Sequence, residues 1–73
     1  SEGLAPVLIE QMIDAIQQLS STTTVVLVEQ NFIVASKLAE QYVIIDEGQS
    51  VQHGLMADLV KDKATIHKYL GAA

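Results

Sequence analysis

Val25-Val26-Leu27-Val28 is an unbroken apolar run, mostly β-branched, that follows Thr22-Thr23-Thr24 and stops abruptly at Glu29-Gln30-Asn31. A strand with one wet face alternates in polarity; a continuous run suits a strand covered on both faces. The stretch therefore predicts a buried strand of a parallel α/β sheet. Ligands of such sheets sit beyond the carboxyl ends of the strands, which puts Glu29, Gln30 and Asn31 where chemistry is expected.

The flanking sequence supplies the helices such a sheet needs. Ser1 to Ala5 reads as a connector, and Pro6 falls in a first helical turn, where its missing N–H costs nothing. Leu8, Ile9, Met12, Ile13, Ile16 and Leu19 recur at helical spacing, with Glu10, Gln11, Asp14, Gln17 and Gln18 on the other side. Ala5 is a poor N-cap for that helix. Asn31 is a good one for a second, shorter helix with Phe32, Ala35, Leu38 and Ala39 as its apolar stripe. Tyr42-Val43-Ile44-Ile45 predicts a second buried strand, and Asp46-Glu47-Gly48-Gln49 a tight turn in which Gly48 takes positive φ and forms a bulge. Gln49 to His53 then reads as an exposed edge strand ended by Gly54. Leu55, Met56, Leu59 and Val60 mark a helical face, a break follows near Asp62, and a last helix buries Ile66, Tyr69 and Leu70 before Gly71 caps it. The expected order is α-β-α-β-β-α-α. Its sheet is incomplete, because two buried strands need neighbours that this chain does not supply.

Composition narrows the function classes. Seventy-three residues allow one small domain, and its core must be aliphatic, because Phe32, Tyr42 and Tyr69 are the only aromatic residues. A net charge of −5 with four lysines and no arginine argues against nucleic acid as a partner. The absence of cysteine excludes a disulfide framework and thiolate metal sites. Apolar runs reach only four residues, far short of the roughly 20 that cross a bilayer. The chain opens on Ser1 with no signal segment, so its translation start is expected elsewhere. There is no glycine-rich phosphate loop, HExxH or GxSxG, and no metal-ligand spacing. His53 and His67 read as surface residues, and Asp46-Glu47 as solvated turn formers rather than a cation site.

Taken in order, Ser1-Glu2-Gly3-Leu4-Ala5-Pro6, Val26-Leu27-Val28-Glu29-Gln30-Asn31, Tyr42-Val43-Ile44-Ile45-Asp46-Glu47-Gly48, His53-Gly54 and Tyr69-Leu70-Gly71 resemble the carboxyl-terminal third of an ABC-transporter ATP-binding subunit, of the branched-chain amino acid importer type. The resemblance covers essentially the whole chain. It implies the C-terminal part of a P-loop NTPase fold over 1–73, with a D-loop at 2–5, a switch strand at 24–30, a β-hairpin at 42–53 and C-terminal helices at 55–70. Glu2, Gly3, Leu4 and Ala5 match the D-loop, which in the family lies at the dimer interface; Ala5 replaces the usual Asp. Gln30 takes the switch position, normally a histidine that contacts the γ-phosphate and orders the attacking water. Glutamine can donate through its amide but cannot take up a proton.

The family's Walker A loop, Q-loop, signature motif and Walker B residues have no counterpart here. The resemblance accordingly implies ATP and magnesium for a full-length parent, and neither cofactor nor hydrolysis for the isolated chain. It implies a second ATP-binding subunit and membrane permease subunits as partners, at the cytoplasmic face of the membrane. The chain alone is expected to self-associate through its open strand edges. The alternative is a small non-enzymatic α/β module that works by protein–protein contact through its apolar helix faces.

Overall fold

The computed structural model describes residues 4–71, with side chains from Pro6 onward. The element order is α1 (Leu4–Ser20), α2 (Phe32–Leu38), β1 (Gln41–Asp46), β2 (Gln49–Leu55), α3 (Met56–Leu59) and α4 (Lys63–Leu70). Among the described residues the sheet has two strands, β1 and β2, paired antiparallel. The chain is thus a small α/β unit, and its helices outweigh its sheet.

The hairpin follows from local chemistry. Asp46 pairs with Gln49 across a turn in which Glu47 and Gly48 both adopt positive φ, at 50° and 76°. Positive φ at both central residues is the turn whose twist matches that of the flanking strands. The bulge expected at Gly48 lies instead in β2. The register runs from Ile45↔Ser50 to Ile44↔Gln52, leaving Val51 as the extra residue. β2 also continues through Gly54 to Leu55. At Gly54, φ is +156°, and an added Cβ would lie 3.6 Å from the ring of its cross-strand partner Tyr42. The ring is at ordinary contact distance from that Cβ, so it is the backbone geometry that favours glycine here.

One face of this hairpin carries the core. Ile44 of β1, Met56 and Leu59 of α3, and Ile66 of α4 form a buried cluster, with Phe32, Ala39, Tyr42, Tyr69 and Leu70 packed on it. The Met56 N–H donates to the Glu40 carbonyl at 2.8 Å, pinning the start of α3 beside the start of β1. A polar network ties α4 to the hairpin. Gln52 Nε2 donates to the Tyr42 hydroxyl at 2.8 Å, and the Thr65 hydroxyl lies 3.4 Å from Gln52 Oε1 while donating to Asp62 at 2.7 Å. Asp62 also accepts from the Thr65 backbone N–H and so N-caps α4, which Gly71 closes in the left-handed region.

The N-terminal half departs from expectation in ways that share one cause. The strand expected over 24–30 joins no ladder, and Val26 and Val28 are 88% and 93% exposed. No neighbouring strand lies beside it among the described residues, so β-propensity has nothing to pair with. Among the described residues no parallel sheet forms, for the same reason. In β1, expected to be buried, only Ile44 is; Val43 and Ile45 are exposed. α1 starts at Leu4, so Ala5 is helical and is not the cap. Its apolar stripe is largely uncovered: Ile13 is buried, whereas Leu8, Ile9, Met12 and Leu19 are exposed. α1 packs against α2, where Val34 is the buried residue. That position lies outside the expected stripe, because burial on a short helix depends on which neighbour it meets.

Substituting Leu59, which is 2% exposed, with Ala is expected to lower unfolding free energy by about 2–4 kcal/mol in urea denaturation. Val28→Ala should change it by less than about 0.5 kcal/mol. A second expectation concerns acid. Hydrogen bonds from the Thr65 hydroxyl and backbone N–H hold the Asp62 carboxyl below its ordinary range. A carboxylate with a lowered folded-state pKa stabilises the fold above its unfolded value, and that contribution disappears as pH falls through the lowered one. Thermal midpoints of the native chain and Asp62→Ala should therefore differ most at neutral pH and converge below about pH 4.

Candidate functional site

The polar end of the Val25–Val28 run is built by a helix start. Asn31 has φ −79° and ψ 104°, and its side-chain oxygen accepts from the Ile33 and Val34 N–H groups at 3.0 and 3.3 Å. This satisfies donors that a helix start leaves open. The Asn31 N–H in turn donates to Glu29 Oε1 at 2.9 Å. Two of the three polar groups are thus engaged in shaping the turn. Gln30 between them is exposed, and its side chain has no hydrogen-bond partner among the described residues. It is the group left free to meet something else.

Gln30 stands at the rim of a broad open trough of about 1660 Å³. Its walls are the 22–30 segment, β1 and the end of β2, with Phe32, Leu59 and Leu70 among the apolar lining. The ionised groups on this lining are Glu29 and Glu40; no lysine faces it. Val25 and Leu27 are half-buried toward the body, whereas Val26 and Val28 are exposed. That period-two alternation is the pattern of a strand.

Of the other residues singled out from sequence, Glu2 and Gly3 lie outside the described residues. Leu4 and Ala5 form the first positions of α1. His53 lines the trough and is exposed, and His67 is exposed on α4. Asp46 pairs with Gln49 at the hairpin turn, where no third ligand-type side chain joins Asp46 and Glu47 among the described residues. The Asp62–Thr65–Gln52–Tyr42 network went unread in the sequence. Its available signal was an Asp three residues before a Thr at a helix start.

Over 72 residues the chain is 40% identical to the high-affinity branched-chain amino acid transport ATP-binding protein BraG of Pseudomonas aeruginosa. The match covers 97% of this chain and 31% of that relative, so the chain spans about a third of the relative's length. No family model matches, and no solved structure does. The likeness supports a relationship to part of an ABC ATP-binding protein.

The residues present do not by themselves fit a nucleotide. A triphosphate is held mainly by cations, and the trough's lining carries no lysine: its polar groups are the carboxylates of Glu29 and Glu40, the amides of Gln30 and Gln41, His53, Tyr42 and the hydroxyls of Ser20 and Thr22 to Thr24. Among the described residues no trio of His, Asp or Glu converges to hold a metal ion, and no helix is long and apolar enough to cross a membrane.

Removing the cap isolates its structural share. Asn31→Ala is expected to destabilise the chain by about 1 kcal/mol in chemical denaturation. Gln30→Ala, at an exposed side chain without a partner, should leave stability within about 0.5 kcal/mol of native.

Proposed function

We propose that the chain is part of the ATP-binding subunit of an ABC transporter. More particularly, it is the D-loop-to-terminus third of a subunit that energises branched-chain amino acid import. The observation that carries this reading is the 40% identity to BraG across nearly the whole chain.

In this reading Gln30 is the switch residue. Its freedom supports the assignment: Glu29 and Asn31 hold the turn, and the amide between them is left to project from it. In a complete site that amide would contact the γ-phosphate and orient the attacking water, acting by position and hydrogen bonding alone. Glutamine has no proton to exchange near neutrality, so it adds no titration step there. Glu2, Gly3, Leu4 and Ala5 would form the D-loop against a second ATP-binding subunit, with permease subunits holding the pair at the cytoplasmic face of the membrane. ATP and magnesium would be bound by segments with no counterpart here. The carboxylates and missing cations of the trough support the companion expectation that the isolated chain neither binds nor hydrolyses ATP.

A chimera tests this directly. Replacing the matched region of BraG with this chain is expected to give a folded protein that hydrolyses ATP. Gln30→Ala in that chimera should lower kcat by about 10²-fold with nucleotide affinity little changed. A folded chimera that binds ATP and turns over equally well without Gln30 would remove the switch assignment. The isolated chain should show no change in melting temperature at millimolar ATP with magnesium, since a ligand that binds the native state must raise it.

A further inference from the structure

We infer that Glu29 is a positioning residue for Gln30: by holding the Asn31 N–H, its carboxylate sets the backbone torsions of the residue between them, and so the direction in which the Gln30 amide projects. This deepens the reading of Gln30 as the switch residue and rests on it.

The ring that one hydrogen bond closes is the reason. Glu29 Oε1 accepts from the Asn31 N–H at 2.9 Å. From that oxygen the ring runs through the Glu29 side chain, its Cα and carbonyl carbon, then the N, Cα and carbonyl carbon of Gln30, and returns at the Asn31 N–H. Peptide bonds are planar, so the backbone freedom inside the ring is ψ of Glu29 with φ and ψ of Gln30. Both torsions that orient Gln30 are enclosed. The same closure by Asp or Asn, side chain to the N–H two residues on, is the Asx turn. Here an ionised acceptor makes it, which gives a stronger bond than a neutral one.

Asn31 works on the other side of the switch position. Its Oδ1 accepts from the Ile33 and Val34 N–H groups, and the rings so closed begin at Asn31 and leave Gln30 out. The cap anchors the N–H that Glu29 holds, and Glu29 carries that anchorage back across Gln30. The consequence for a switch is direct. Glutamine has three side-chain torsions of its own, so fixing the two backbone torsions beneath them narrows the volume its amide sweeps. A group that orients a water must be held within about 0.5 Å of the productive place.

Two measurements test this, one on the chain and one on the BraG chimera. In the chain, Glu29→Ala should speed hydrogen exchange at the Asn31 amide and bring the Gln30 amide-to-α-proton coupling to its averaged, unstructured value. Exchange at the capped Ile33 and Val34 amides should stay as it was, which general fraying of the helix start would not allow. Glu29→Gln keeps an acceptor oxygen at the same reach and should behave as native. In the chimera, Glu29→Ala should lower kcat about tenfold with KM for ATP unchanged, the rate equivalent of one net hydrogen bond. Glu29→Gln should restore most of that loss, and Glu29→Ala should cost nothing further once Gln30 is alanine. Unchanged Gln30 coupling and Asn31 exchange in Glu29→Ala overturn the inference. So does a chimera in which Gln30→Ala slows turnover and Glu29→Ala does not, an outcome that leaves the switch reading standing. If Gln30→Ala itself is without effect, the switch reading fails and the positioning role falls with it.

Discussion

The contact of Leu59 with Ile44, Met56 and Ile66 is what the folded half of this chain depends on. An isolated two-stranded hairpin is marginal in water, and helices of four and eight residues are too short to stand alone. Each element becomes stable only by burying its apolar side on the others. The hairpin contributes a single fully covered side chain, Ile44, so α3 and α4 must bring the rest. The Tyr42–Gln52 and Thr65–Asp62 hydrogen bonds add direction to a core that apolar contact alone would leave loosely oriented.

A different constraint governs the other half. α1 offers an apolar stripe of several residues but covers only Ile13 fully, and the 24–30 segment offers strand chemistry without a strand beside it. Both features leave apolar surface uncovered, on different sides of the chain: the trough is lined by the 22–30 segment, and of α1 only Ile16 and Ser20 reach it. The trough's lining mixes apolar side chains with hydroxyls, amides and two carboxylates and carries no lysine, which suits protein backbone and side chains as the filling better than a polyanionic cofactor.

Sequence and structure agree where the cause is local. The Asn31 cap, the positive φ of Gly48 and the left-handed Gly71 follow from chemistry within a few residues, and each could be read from residue type and position. The helical period of α1 was equally legible. What it packs against was not, because burial belongs to the pair of surfaces and not to either one. The same limit applies at Val34, at Val51 and in the 24–30 run. In each case a local pattern stated a preference, and the presence or absence of a neighbour decided the outcome.

That distinction bears on how Gln30 is to be understood. Its free state does not come from an unusual side chain; it comes from its neighbours. Asn31 is fixed by the helix it starts, and Glu29 is fixed by the N–H of Asn31, so the two flanking carbonyl-bearing side chains are spoken for. The turn can therefore be rigid while its middle residue is uncommitted, which is the arrangement a positioning group requires. Replacing a histidine by glutamine at such a place keeps the hydrogen-bonding reach and removes the proton. In the proposed switch role Gln30 would act with a fixed dipole, and that action should depend on the geometry of the Asn31 cap far more than on pH.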